Sequence, residues 1–288
     1  MNWTPRRQRF RALFAGNQCV YPGSVFDALS ARAAEDIGFE VGMFAGSVAS
    51  LAIVGGPDIA VITLSEFADQ AYRICRAGNL ALMVDADHGY GNALNVRRTV
   101  EELETAGVSG LSIEDTELPA GYGRADKPTL LSKEEGLGKM KAAVSARQDP
   151  GLLIAARTSA ISISGLDDTI ARVQAYETTG VDALFLVGVK TRDQLEAISK
   201  ATKLPLILGG VPADMMDREY LASRRARICL TGHQPFMAGV QAVYATLKAL
   251  RDGTDPAKLT GLPAGGLMKQ LTRDADYAKW AQEYLGGK

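Results

Sequence analysis

Ala81-Leu82-Met83-Val84-Asp85-Ala86-Asp87-His88-Gly89-Tyr90-Gly91-Asn92 is an apolar run that stops at once in two acids, one of the chain's two histidines and two glycines. A short apolar run between polar turns predicts a strand buried on both faces, as in a parallel sheet covered by helices. Side chains alternate along a strand, so Asp85 and Asp87 would point to one side if the strand continued. Two carboxylates held together need a proton or a cation to neutralise them. Mg2+ takes oxygen ligands of this kind. The alternative at this point is a solvated acidic turn that caps the next helix.

The same pattern extends outward in both directions. Apolar runs recur near 18–21, 41–46, 81–85, 110–113, 152–156, 183–187, 204–208 and 226–231. Amphipathic segments separate them at 25–37, 65–78, 94–106, 133–147, 167–179, 191–201 and 214–224. A helix over 5–16 precedes the first run, with Thr4 as the expected cap and Pro5 at its first position. Strand–helix alternation through eight strands predicts an α/β fold, a (β/α)8 TIM barrel of parallel strands. An open doubly wound sheet is the alternative, but no Gly-x-Gly-x-x-Gly follows the first strand. Residues 1–288 are expected to form a single barrel domain. Residues 235–288 add C-terminal helices, and Leu267, Leu271, Tyr277, Trp280 and Tyr284 give them apolar character. Such residues pack either on the barrel's own wall or on another subunit.

Composition narrows the class. The net charge of −1 excludes the basic excess of a nucleic-acid binder. No run reaches membrane-spanning length, so no membrane partner is expected. Arg6, Arg7, Arg9 and Arg11 make the N-terminus basic, but no apolar core of signal-peptide length follows, and a cytoplasmic location is expected. Cys19, Cys75 and Cys229 form no C-x-x-C pair and read as buried, reduced thiols.

Active sites of such barrels lie at the C-terminal ends of the strands. Reading the residue after each apolar run gives Gly46 and Ser47, then Asp85, Asp87 and His88, then Glu114 and Asp115, then Arg157, Thr158 and Ser159, and finally Gly232 and His233. Both histidines, four acids and an arginine therefore sort to one rim. Each has a plain structural account: Ser47 could cap a helix, Arg157 could pair with Glu114, His233 could bond a backbone carbonyl, and Glu114 with Asp115 could start a helix. Together they describe a pocket with a cation and an anion-binding arginine, suited to a small carboxylate substrate.

Four stretches carry a family resemblance: Ala45-Gly46-Ser47-Val48-Ala49-Ser50, Asp85 to Asn92, Ile113-Glu114-Asp115 and Ala156-Arg157-Thr158. In this order they resemble the isocitrate lyase and phosphoenolpyruvate mutase superfamily. With Gly232-His233 they are most similar to its oxaloacetate decarboxylase branch. The resemblance implies a barrel, a Mg2+ or Mn2+ ion, and a homotetramer, a dimer of dimers, whose terminal helices are swapped between paired subunits. It implies that Asp85 meets the metal, that Asp87 and Glu114 hold its waters, and that Ser47, Arg157 and His233 bind substrate.

The superfamily's carbon–carbon lyases carry a Lys-Lys-Cys-Gly-His loop after the fourth strand. Here that region, Glu117-Leu118-Pro119-Ala120-Gly121-Tyr122-Gly123-Arg124, has no cysteine. Ser159 replaces the family asparagine, and Gly209-Gly210-Val211-Pro212 lacks the tyrosine expected of decarboxylase relatives. The expected reaction is metal-dependent decarboxylation of oxaloacetate, or a close 2-oxo diacid, through an enolate. Water or Tyr122 would donate the final proton. The alternatives are a phosphonate mutase or hydrolase, a lyase of hydroxy diacids, and a non-catalytic metabolite-binding protein.

Overall fold

Among the described residues, 2–123 and 128–286 of this computed structural model, eight strands run parallel in the order of the chain. They are β1 (Gly23–Ser24), β2 (Val41–Ala45), β3 (Ala81–Asp85), β4 (Gly110–Glu114), β5 (Leu153–Thr158), β6 (Ala183–Leu186), β7 (Leu206–Leu208) and β8 (Ala226–Cys229). The helices before and between them are α1 (Thr4–Ala15), α2 (Ala28–Ile37), α3 (Gly46–Ala49), α4 (Leu64–Cys75), α5 (Ala93–Ala106), α6 (Lys133–Ala146), α7 (Ala160–Ile163), α8 (Leu166–Glu177), α9 (Arg192–Ala201) and α10 (Arg218–Ser223). A π-helical turn, Ser50–Val54, continues α3. The first unit of the chain, Met1–Gly232, holds all of these; the second, His233–Lys288, holds α11 (Gln234–Arg251), α12 (Gly265–Thr272) and α13 (Asp274–Tyr284).

The sheet closes on itself. Val20 pairs in parallel with Ile228 of β8, its N–H donating to the Arg227 carbonyl at 2.9 Å and its carbonyl accepting from the Cys229 N–H at 3.1 Å. The first strand, expected over 18–21, is instead Gly23–Ser24, and of the expected run Val20 alone bridges to β8. Pro22 has no N–H to donate, so the contact with β8 falls at Val20 and the ladder with β2 begins at Gly23.

Alternation sorts each strand into two faces. Val41, Met43, Ala45, Ala81, Met83, Leu153, Ala155, Ala183, Phe185, Ile207 and Ile228 fill the barrel interior. Phe44, Leu82, Val84, Leu111, Ile113, Ile154, Ala156, Leu184 and Leu208 face the surrounding helices. Phe10 of α1 joins the interior cluster and is fully buried. A Cβ on Gly110 would lie 2.4 Å from its ring, so β4 starts with the one residue that admits it.

The N-terminal arginines anchor α1 on the barrel. Arg6 donates to the Cys75 and Gly78 carbonyls at 2.6 and 2.7 Å. Arg7 donates to the Val108 and Glu104 carbonyls at 2.9 and 2.5 Å and pairs with Asp149 at 2.6 Å. Arg9 and Arg11 reach the Asn79 carbonyl and Asp182 respectively. These groups satisfy carbonyls at and beyond the ends of α4 and α5, where the helices leave them unpaired. Trp3, rather than Thr4, occupies the cap: its carbonyl accepts from the Arg7 N–H, and its ring lies under the Arg6 guanidinium. All three thiols are buried and unbridged. No helix among the described residues is long and apolar enough to cross a membrane.

Arg7 is 3 % exposed, so Arg7→Ala strands two carbonyls. Asp149 keeps contact with water and with the Gly151 N–H, so the loss of unfolding stability should be that of the two buried carbonyls, roughly 1–3 kcal/mol. Arg9→Ala, at a more exposed site, should cost less than about 1 kcal/mol. Urea titrations of the two variants measure the contrast.

Candidate active site

The polar rim is the next layer of the barrel interior. Asp85 follows Ala81 and Met83 in inward parity, Glu114 follows Gly110 and Ser112, and Arg157 follows Leu153 and Ala155. Register places Glu114 beside Arg157 on adjacent strands. The Arg157 guanidinium donates to Asp85 Oδ2 and lies 3.4 Å from Glu114 Oε2. Its other face lies over the Phe185 ring at 5.6 Å. Asp85 Oδ1 accepts from the Ser112 hydroxyl at 2.8 Å, and Glu114 Oε2 accepts from the Thr116 hydroxyl at 2.9 Å. Burial opposes the charge on Arg157, yet Asp85 and Glu114 outweigh it and hold the guanidinium firmly protonated.

Asp87 joins this group by a different route from the one alternation suggests. β3 ends at Asp85, and Asp87 has a left-handed backbone with φ 46°. Aspartate tolerates that conformation better than most residues. The turn lays its carboxylate against Gly46 at the end of β2, where a Cβ would sit 2.4 Å from both carboxylate oxygens. Ser47 follows directly, half-buried in α3. Among the described residues the Asp87 side chain accepts no hydrogen bond. Burial, then the neighbouring Asp85 and Glu114, push its carboxyl well above the usual range. Burial also pushes Glu114 upward.

Asp115 turns away from the rim. Its outward parity sends it behind the sheet, where Oδ2 accepts from Thr158, Arg172 and Tyr176 at 3.0, 3.0 and 2.6 Å. The Asp115 N–H donates to the Arg157 carbonyl. This buried network ties β4 to β5 just where Glu114 and Arg157 emerge. Arg172 and Tyr176 lie one helical turn apart on α8, too far along the chain for a local pattern to connect them to Asp115.

His88 is buried with its Nδ1 unpartnered among the described residues, and burial, with Lys139 nearby, pushes it down to about 4. It is therefore a neutral imidazole rather than a rim cation. The Tyr90 hydroxyl, also buried and unpartnered among the described residues, lies near Asp87 and Asp85. Tyr122 stands fully exposed. Arg124 lies outside the described residues. His233 opens the second unit as the residue before α11.

Removing one buried negative charge should relieve the cluster. Asp87→Asn should raise the melting temperature of the metal-free protein at neutral pH, as measured by calorimetry. Tyr176→Phe removes a donor from the fully buried Asp115 and should lower stability by about 1–3 kcal/mol in urea.

Residues 10–251 match the phosphoenolpyruvate phosphomutase family. The chain is 58% identical over 286 residues to an oxaloacetate decarboxylase of a Bradyrhizobium species, covering 99% of each. It is 58% identical over 288 residues to the oxaloacetate decarboxylase of Rhodopseudomonas palustris, covering all of both. Among solved structures it resembles an oxaloacetate acetylhydrolase in complex with 3,3-difluorooxalacetate, with TM-score 0.87, 26% identity, and coverage of 99% of this chain and 98% of that one. A phosphonopyruvate hydrolase solved with oxalate and Mg2+ superposes with TM-score 0.86 at 28% identity, covering 97% of this chain and 99% of that one. By the family match, by these relatives and by the order of its rim residues, the chain belongs to the phosphoenolpyruvate phosphomutase family.

Proposed function

We propose that this enzyme decarboxylates oxaloacetate to pyruvate and carbon dioxide with a divalent metal ion, Mg2+ or Mn2+, at the Asp85–Glu114–Arg157 rim. The observation that carries the reading is the charge imbalance there: three buried carboxylates face one guanidinium. Such an excess is unfavourable without protons or a cation. The names of the relatives at 58% identity support the same substrate.

The donor set fits a hard cation. All three candidates are carboxylates. No three His, Cys, Asp or Glu side chains among the described residues enclose a metal by themselves. Mg2+ keeps several of its own waters and is held by one or two carboxylates. Asp85 would hold it directly, and Asp87 and Glu114 would orient its waters. When bound, the ion supplies Lewis acidity toward the 2-oxo group.

The chain's own residues supply the rest. Arg157 presents paired N–H donors to a substrate carboxylate. Ser47 donates to the remaining oxygens and fixes the orientation of the diacid. The bond from C3 to the departing carboxylate breaks, its electron pair passes into the 2-oxo group as an enolate, carbon dioxide leaves, and a proton adds at C3. That proton comes from water or from Tyr122, which stands exposed on the loop after β4. A carbon–carbon lyase needs an acid for its leaving carbanion. The thiols cannot serve: burial pushes Cys75 on α4 and Cys229 on β8 up to about 12, and both pack on the helix-facing side of the sheet.

The substrate is a small dicarboxylate, and the second unit serves assembly. Met237, Val240, Tyr244 and Leu247 repeat at helical spacing along α11, none of whose residues is buried. Tyr277 and Trp280 of α13 stack edge to face at 5.2 Å. These surfaces would bind neighbouring copies in a homotetramer, with the helices exchanged between subunits.

With Mg2+, the protein should form pyruvate from oxaloacetate well above the metal-only background, and chelator should abolish this. Asp85→Ala should lose the activity while keeping its melting transition. Arg157→Ala should lose roughly 2–5 kcal/mol of transition-state stabilisation in kcat/KM. Equal rates in chelator, or a fully active Asp85→Ala, would overturn the reading. Deleting residues 257–288 should convert the tetramer into smaller, less stable species in light scattering; unchanged mass and melting temperature would count against the assembly.

A further inference from the structure

A cavity of 430 Å3 opens between the starts of α5 and α6. Its walls include Asn92, Thr116, Leu130, Ser132, Glu135 and Lys139. Thr116 and Leu130 pair as an antiparallel bridge at the base of the loop between β4 and α6. The cavity therefore lies outside the barrel interior but next to its rim, joined to it by the Thr116 hydroxyl that donates to Glu114.

Lys139 is the unusual member. It is 2 % exposed and ranks among the largest fully buried side chains. Among the described residues its ammonium makes no hydrogen bond and no ion pair within 4 Å. Glu135, Glu114 and Asp115 attract it without pairing with it, and desolvation outweighs them; the ammonium borders an open cavity. Two helix N-termini converge on the same space. Asn92 caps α5 through Oδ1, which accepts from the Leu94 N–H at 2.9 Å. Ser132 caps α6 through Oγ, which accepts from the Glu135 N–H at 3.1 Å. Both caps use acceptor atoms, so the Asn92 amide N–H2 and the Ser132 O–H retain donors. The positive ends of two 14-residue helices add to the Lys139 charge. Two acids limit what fits. Glu135 is exposed at the mouth, and Glu117, also in the wall, is engaged in a contact of its own. Their charge favours a small ligand of low charge over a polyanion.

We infer that this cavity binds a small oxyanion, a carboxylate or inorganic phosphate, on the Lys139 ammonium and the spare donors of the Asn92 and Ser132 caps. The inference does not depend on the decarboxylase reading, because the site lies outside the rim that would hold the metal and substrate.

Isothermal titration calorimetry on the full chain, kept metal-free with chelator, tests it with acetate and with phosphate as separate titrants. Saturable binding of either is expected, and the one that binds identifies the ligand's source. Lys139→Met should weaken it at least tenfold. Asn92→Asp keeps a good helix cap but places a negative charge in the cavity, and it should weaken binding to a similar degree. If Lys139→Met does not fold, Asn92→Asp decides. Arg157→Met, which leaves Lys139 and both caps in place, should leave the affinity within twofold. No saturable binding of either anion would overturn the inference. So would binding that survives Asn92→Asp and Lys139→Met but disappears in Arg157→Met.

Discussion

The Arg157 guanidinium bonded to Asp85 and flanked by Glu114 sits where three adjacent strands end, and the geometry of the barrel makes that contact. Parallel strands in register bring residues of equal parity to one level. Below that level the interior is apolar, from Phe10 upward through Met43, Met83 and Phe185. A charged layer stacked on an apolar plug has no water beneath it, so its charges act on one another in a low dielectric. The outward network of Asp115, Thr158, Arg172 and Tyr176 fixes β4 against β5 immediately behind this layer. The rim is thus held from inside by packing and from outside by hydrogen bonds.

The same constraint links stability to chemistry. Asp87 is held by a left-handed turn and by the space that Gly46 leaves. Strain and unbalanced charge concentrated in one turn are characteristic of functional sites. A structure built for stability alone would pair Asp87 or replace it. Here the unpaired carboxylate is the feature that a divalent cation would satisfy.

Much of this was legible from the chain. The runs at 81–85 and 110–113 became β3 and β4 almost to the residue, because buried parallel strands leave a continuous apolar signature. Reading the residue after each run found Asp85, Glu114 and Arg157 for the same reason. The first strand was less clear, since it is only Gly23–Ser24 and lies past Pro22, beyond the apolar run at 18–21. The short helices α3 and α7, four residues each, are too brief to display a helical period. Asp115 looked like a rim acid, and only alternation past the strand end turns it outward. Lys139, Arg172 and Tyr176 carry no local signal at all: a buried lysine or tyrosine in an amphipathic helix reads like any other until the fold brings its partners near.

The neighbours in fold include enzymes named for acetyl hydrolysis of oxaloacetate, and the curated relatives are named for its decarboxylation. Both act on the same diacid and differ in which carbon–carbon bond breaks. Nuclear magnetic resonance of the Mg2+-loaded enzyme turning over oxaloacetate, isotopically labelled at the carboxylate carbon attached to C3, separates them directly. The account predicts that the label leaves as carbon dioxide or bicarbonate while unlabelled pyruvate accumulates. Label appearing in acetate, with oxalate as the second product, would contradict it.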